Sequence, residues 1–257
     1  MDLARDAMHA LATTENAGLV MDFDGVLSPI TDDPAVSQLL PGTAEILASL
    51  AGKLTVVALL SGRPAGFLAA RATVPGVALY GSYGLERVTP SGIEVVPGAH
   101  QWAARVDQAT EILRQELGDV DGLHVEQKSL SVAVHWRRAP DRDAAETRIA
   151  PLIARVMAVC ELRREPGKFV EELRMPLDLD KGTALRAIID ADDLSTVAYA
   201  GDDRGDLPAL AIAAARGHAL VVDGPEAVPE VREAPGAHFT SPDDFQAWLR
   251  ELDSTLG

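Results

Sequence analysis

One cysteine, four lysines and few aromatic side chains set the first limits on this 257-residue chain. The lone thiol, Cys160, excludes an internal disulfide and fits a reducing compartment. It ends the apolar run that starts at Val156, where an inert buried thiol is expected. Aromatic residues make up 4% of the chain, and no patch interleaves them with basic ones. With a net charge of −16, that argues against a nucleic-acid groove or a broad surface for anionic membranes. A small basic pocket for an anion stays open. No apolar run approaches a membrane span. The N-terminal stretch has Asp2, Arg5 and Asp6 and lacks a basic start with a long apolar core, so it is read as a short helix rather than a secretory signal. Repeats and low-complexity tracts are absent. The expectation is a monomeric, cytoplasmic protein with no nucleic-acid or membrane partner, large enough for one large or two modest domains.

What is present starts at Gly18 to Ile30, GLVMDFDGVLSPI. Leu19, Val20 and Met21 are too few for a helix and stop on acid and glycine. That pattern suits a buried parallel strand delivering Asp22 and Asp24 at its C-terminal end, the edge where open α/β sheets bind ligands. Alternation sends both carboxylates to one side. Two like charges so close call for a cation or a shared proton, hence a metal site or an acid–base dyad.

The apolar run Leu54 to Leu60 predicts a second strand, ending on Ser61-Gly62-Arg63-Pro64 at a helix start. A hydroxyl and free backbone N–H groups there make an anion site. Val77 to Tyr80 predicts a third strand before Gly81-Ser82-Tyr83-Gly84, and Val88 to Val96 a hairpin. After Pro97-Gly98 the texture changes to α-β-β-α-β-β. Asp180-Lys181-Gly182 then opens the helix Thr183 to Ile189, Thr196 to Ala200 is a strand ending on GDDRGD, and β/α alternation resumes. The fold class is therefore α/β, a Rossmann-like parallel-sheet core (1–98 and 177–257) with an inserted α+β cap domain (99–176). Three strand ends and one helix start bring Asp22, Asp24, Ser61, Lys181, Asp202, Asp203 and Asp206 to one sheet edge. Carboxylates from two strands can hold Mg²⁺, Ser61 and Lys181 can hold phosphate oxygens, and a carboxylate can attack phosphorus.

In order, DFDGV, LLSGR, the lysine of DKG and GDDRGD resemble the four motifs of the haloacid dehalogenase-like phosphotransferase superfamily. The resemblance implies Asp22 as nucleophile and Asp24 as general acid, then base. It implies Lys181 as catalytic and, with Ser61 and Gly62, phosphate-binding. The metal ligands would be Asp22, the Asp24 main-chain carbonyl and Asp202, with Mg²⁺ as cofactor. Asp203 and Asp206 would orient Lys181 or metal-bound water, although Asp206 could equally cap the following helix.

An insertion between the serine and lysine motifs matches the subgroup with a C2-type cap, which covers the site and selects substrate. Within it the chain is most similar to trehalose-6-phosphate phosphatases. DFDGVLSPI, GSYGLE, Glu126-Gln127-Lys128 with His135-Trp136-Arg137, and Gly167-Lys168 with Glu172-Leu173-Arg174 carry that resemblance. It implies a phosphorylated sugar as partner and Glu126, Lys128, His135, Arg137, Lys168, Glu172 and Arg174 as sugar contacts. Those residues also read as a solvated sheet face with weak salt bridges, and His135 as structural. Val26, Tyr83, Gly205 and Leu207-Pro208 depart from the family pattern. They leave open another phosphorylated disaccharide, a cyclitol, a glycosyl phosphoglycerate, or a catalytically weak sugar-phosphate-binding regulator.

Overall fold

Short apolar runs that end on Asp, Ser or Gly become parallel strands, because such strands are buried on both faces. A computed structural model of the chain describes residues 2–31, 33–99, 102–118, 120–128, 130–167, 169–176, 179–224 and 227–257. The chain divides into two compact units, Met1–Glu94 with Leu179–Gly257, and Val95–Asp178. Sequence reading put the limits of the insertion at residues 99 and 176.

Among the described residues the first unit begins α1 (Leu3–Thr13), β1 (Ala17–Met21), α2 (Thr43–Ala51), β2 (Val56–Leu60), α3 (Ala65–Arg71), β3 (Ala78–Gly81), β4 (Glu86–Thr89) and β5 (Gly92–Val95). The second unit contains α4 (Ala103–Leu117), β6 (His124–Gln127), β7 (Ser131–His135), α5 (Arg142–Cys160), β8 (Arg163–Gly167) and β9 (Val170–Arg174). The first unit resumes with α6 (Lys181–Ala191), β10 (Thr196–Gly201), α7 (Leu207–Arg216), β11 (His218–Val222), α8 (Pro229–Arg232), β12 (Ala237–Phe239) and α9 (Pro242–Thr255).

The eight strands of the first unit lie in the order β12-β11-β10-β1-β2-β3-β4-β5. From β12 to β3 neighbours are parallel, and β4 turns back antiparallel on β3. Alternation splits the core into two layers. Leu19, Met21, Val57 and Leu59 pack with Leu11, Leu47 and Leu249 of α1, α2 and α9. Val20, Ala58, Leu60 and Tyr199 pack with Leu185, Ile188 and Leu210 of α6 and α7. β1 sits centrally with β10 and β2 at its sides, so its C-terminal end opens at the point where the strand order reverses.

Several element limits differ from the sequence reading by a residue or two. β2 starts at Val56, since the N–H groups of Lys53 and Leu54 both bond back to Leu50 O in the turn leaving α2. α6 starts at Lys181, two residues early, because Asp180 and Thr183 form a reciprocal capping box. The four-residue α8 has no periodicity to betray it.

In the second unit the antiparallel sheet runs β6-β7-β9-β8. Val132, Val134 and Leu173 bury against Val106, Leu113, Ile149 and Ile153 of α4 and α5. The register sets Ala133 opposite both Glu126 and Glu172, and Ser131 opposite Arg174. Glu126, Ala133 and Glu172 therefore share the face turned away from the helices. No helix among the described residues is long and apolar enough to cross a membrane.

Candidate active site

Asp22 follows β1 on the side that faces α6 and α7, the same side as Val20. Lys181 is the first residue of α6, so its side chain enters from that layer. Its ammonium lies 2.8 Å from Asp22 Oδ2 and 2.7 Å from Asp206 Oδ1. Lys181, Asp206 and Asp22 are all buried. Burial works against the Lys181 charge, but the Asp206 and Asp22 carboxylates reverse this and hold its pKa well above the usual lysine range. For Asp22, burial is the larger force. It raises the carboxyl from 3.8 to about 7, with Lys181 pulling down and Asp206 and Asp24 pushing up. Asp22 Oδ1 also accepts from the Phe23 N–H at 2.7 Å.

Asp206 has no spare capacity. Its Oδ1 accepts from Lys181 and, at 2.5 Å, from the Tyr199 hydroxyl. Its Oδ2 accepts from the backbone N–H groups of Asp202 and Asp203 at 3.2 and 3.1 Å. Four bonds fill a carboxylate. Asp206 thus holds Lys181 and makes no side-chain cap on α7. The Asp203 carboxylate accepts from Arg204 N–H at 2.7 Å in the local 3-10 turn Arg204–Asp206.

Asp202 follows β10 and takes no hydrogen bond on its carboxylate from any described residue. Desolvation, then the charges of Asp206 and Asp22, push its carboxyl well above the usual range, against Lys181. Oxygens of Asp22, Asp202 and Asp206 lie within 4.8 Å of one another. With all three carboxylates ionised, one ammonium would leave two negative charges over, and burial together with that excess holds the Asp22 and Asp202 carboxyls up. With Asp206 saturated, the lone pairs of Asp22 and Asp202 remain for a ligand. This is a hard, doubly anionic oxygen donor set, and it fits a divalent cation of the Mg²⁺ type. Gly25 makes the set possible. Its φ is +74°, and a Cβ there would stand 1.9 Å from Asp202 Oδ2.

Asp24 lies apart from this cluster. Arg63 Nε donates to its Oδ2 at 2.6 Å and Nη2 to its Oδ1 at 2.8 Å. Ser61 extends β2 beside the end of β1, since its N–H bonds Tyr80 O at 3.0 Å and Met21 pairs with Leu59. Its buried hydroxyl accepts from Arg63 N–H at 3.2 Å and keeps its own proton to donate. The adjacent turn is fixed by Glu86, a buried carboxylate that accepts from Ala65 N–H at 2.7 Å and Ser82 Oγ at 3.1 Å. Ser82, Tyr83 and Gly84 have φ of 50°, 60° and 90°. That backbone lays the Tyr83 ring against Gly62, whose Cβ would meet it at 3.0 Å, and near Gly205, at 3.5 Å.

In the second unit Lys128 Nζ and Ser131 Oγ donate to the two oxygens of Glu172, at 2.8 and 2.6 Å. At 13% and 11% side-chain exposure, Lys128 and Glu172 are no solvated surface pair. His135 Nε2 meets Glu126 Oε2 at 2.8 Å, Arg174 meets Glu165 at 2.9 Å, and the Arg137 guanidinium lies 5.7 Å over the Phe169 ring. Lys168 lies outside the described residues.

Sequence reasoning missed Tyr199, Glu86 and Ser131 and gave Arg63 no partner. Only Tyr199 carried a signal, since a tyrosine in an otherwise apolar strand must find a partner for its hydroxyl. The pairs Asp22–Lys181–Asp206 and Lys128–Glu172 do join predicted residues.

The Trehalose-phosphatase family model matches residues 20–214. The trehalose-phosphate phosphatase of Mycobacterium tuberculosis strain H37Rv is 36% identical over 233 residues, which is 84% of this chain. That of Mycobacterium leprae is 36% identical over 191 residues, 72% of this chain and 44% of its own length. The chain spans 58% of the length of the first of these relatives. The C-terminal domain of Candida albicans trehalose-6-phosphate phosphatase has the same fold, with a TM-score of 0.79 at 18% identity, covering 98% of this chain and 96% of that one. A haloacid dehalogenase-like hydrolase from Bacteroides thetaiotaomicron aligns at TM-score 0.60 and 16% identity over 93% of this chain and all of that one. With the family model matching residues 20–214 and a relative 36% identical across 84% of it, the chain belongs to the trehalose-phosphatase family.

Proposed function

We propose that this protein hydrolyses a phosphorylated sugar, trehalose 6-phosphate first, to the free sugar and inorganic phosphate through an aspartyl phosphate on Asp22. The observation that carries this reading is the buried Lys181 ammonium held on Asp22 by Asp206. It fixes the nucleophile and sets positive charge where phosphoryl oxygens gather. An Asp22 oxygen attacks phosphorus, the bond from phosphorus to the sugar oxygen breaks, and Asp24 hands its proton to that oxygen. Asp24, now a carboxylate, takes a proton from water as the water oxygen attacks phosphorus. The Asp22–phosphorus bond then breaks and the Asp22 carboxylate returns. Ser61 O–H, the Gly62 backbone N–H and Lys181 hold the non-transferring oxygens. A divalent cation, Mg²⁺ in this proposal, would be held by Asp22, Asp202 and the Asp24 carbonyl and would offset phosphoryl charge. Glu126, Lys128, His135, Arg137, Lys168, Glu172 and Arg174 of the second unit are the proposed sugar-selecting residues.

The same chemistry on a different sugar is a second reading. The packing of Tyr83 against Gly62 and Gly205 favours it, because two departures from the family pattern fall side by side near the phosphate turn. Phosphate release, with Mg²⁺ or with EDTA, tests both readings. The panel is trehalose 6-phosphate, sucrose 6-phosphate, glucose 6-phosphate, a glycosyl phosphoglycerate and p-nitrophenyl phosphate. Mg²⁺-dependent preference for trehalose 6-phosphate is the expected result. Preference for another ester moves the assignment to the second reading, and no release from any ester rejects both. Asp22→Asn is expected to lose at least about 10³-fold in kcat while still folding, because an amide in the nucleophile's place does not form the acyl phosphate.

A further inference from the structure

Arg63 is built into its place from several sides. Its fork engages both Asp24 oxygens, which fixes the plane of the carboxylate as well as its position. Nη2 also donates to the buried Ser37 Oγ at 3.2 Å. The guanidinium carbon lies 4.5 Å over the Phe67 ring, and Phe67 meets Phe23 edge-on at 5.9 Å. Phe23 is the residue between Asp22 and Asp24. The Arg63 backbone is tied as well, its N–H to Ser61 Oγ and its carbonyl to Ser82 N–H at 2.7 Å. The side chain is 14% exposed. An arginine held by a ring, a buried hydroxyl and two backbone ties is no surface charge resting on the nearest acid.

We propose that Arg63 is a positioning residue for Asp24. It sets where the Asp24 carboxyl stands when it gives a proton to the leaving oxygen, and when it takes one from the attacking water. This inference rests on the phosphatase reading above. Arg63 supplies no proton. Each Asp24 oxygen keeps a lone pair outside the fork, so the grip and a water are compatible. The competing role is direct phosphate binding by Arg63, which would act on affinity instead.

The test is a double-mutant cycle of Arg63→Gln and Asp24→Asn. It is read on the preferred sugar phosphate and on p-nitrophenyl phosphate, whose good leaving group keeps Asp24→Asn measurable. Misplacing a reacting group by about 1 Å can lower rate about 10²-fold, and that is the loss in kcat expected for Arg63→Gln. The inhibition constant of inorganic phosphate should stay within about twofold, and Arg63→Gln should lose nothing further in the Asp24→Asn background, because groups acting as one unit are not additive. Arg63→Lys, with charge but no fork, should fall between the two. Weaker phosphate inhibition with unchanged kcat, or additive losses, overturns the proposal. The Arg63 Nε–H resonance in ¹H–¹⁵N spectra reads the pair without turnover. It should shift in Asp24→Asn, and an unshifted signal in an active enzyme rejects the role alone. A wild type inert toward every ester rejects the phosphatase reading and the role together, and thermal midpoints separate all of these from misfolding.

Discussion

Single atoms limit what can replace Gly25 and Tyr199. At Gly25, φ is +74° and a Cβ would sit 1.9 Å from Asp202 Oδ2. Gly25→Ala therefore strains the backbone and displaces a proposed metal ligand together. The expected loss is about 2–3 kcal/mol in urea unfolding, at the upper end for strain plus overpacking. The position is legible as glycine after an Asp-x-Asp strand end, whereas the reason, contact with a residue 177 positions away, is not. Tyr199 is the opposite case. Its pKa is held well above the usual tyrosine range by burial and by Asp206, so its hydroxyl stays a donor. Tyr199→Phe removes one of four bonds on Asp206 and should cost about 1.5–3 kcal/mol, the range for a hydrogen bond to a charged group. If Asp206 steers Lys181, kcat should fall while KM changes little. An unchanged kcat would show the hydroxyl to be structural only.

Elements meet through side chains that period and composition do not assign. β11 begins at His218, which burial holds below the usual histidine pKa, with Asp6 of α1 acting in the other direction. The unfolded chain therefore binds a proton on this histidine at higher pH than the folded one. Stability should fall as pH drops below about 6.5 and level off beneath the lowered folded value. His218→Gln should flatten that part of the curve, in thermal midpoints taken from pH 7.5 to 5. A slope that survives the substitution assigns it to other groups. The ring is only partly buried, so the effect is a fraction of its full linkage. The Asp180–Thr183 capping box works at the same level. It starts α6 two residues before the apolar period does, and so makes Lys181 a helix residue aimed at Asp22.

Across the whole first unit, strand and helix ends deliver three carboxylates and one ammonium to a single point. Desolvation holds the Asp22 and Asp202 carboxyls above their usual range, so this arrangement spends stability on the site. A divalent cation that binds the folded chain should therefore stabilise it, by about 2.7 kcal/mol at a hundred times Kd. The thermal midpoint should rise with added Mg²⁺ and fall back with EDTA, and Asp202→Asn should weaken the response. A midpoint indifferent to Mg²⁺ in the wild type would remove this site as the cation site.

Strand ends, the change of texture after Pro97-Gly98 and the order of four motifs were all readable along the chain. Each is a local pattern: a buried parallel strand needs a continuous apolar run, and its functional residue must be the next one. The α/β architecture, the sheet edge carrying Asp22, Ser61 and Asp202, and the family follow from such runs. Partner choice did not follow. Whether Arg63 turns to a phosphate or to Asp24, whether Asp206 caps α7 or grips Lys181, and whether Lys128 is solvated or sealed on Glu172 depend on groups 25 to 44 residues apart in the chain. Packing brings those groups within 3 Å, and a buried charge must then take the partner that packing supplies. Nothing in local propensity or periodicity encodes that choice.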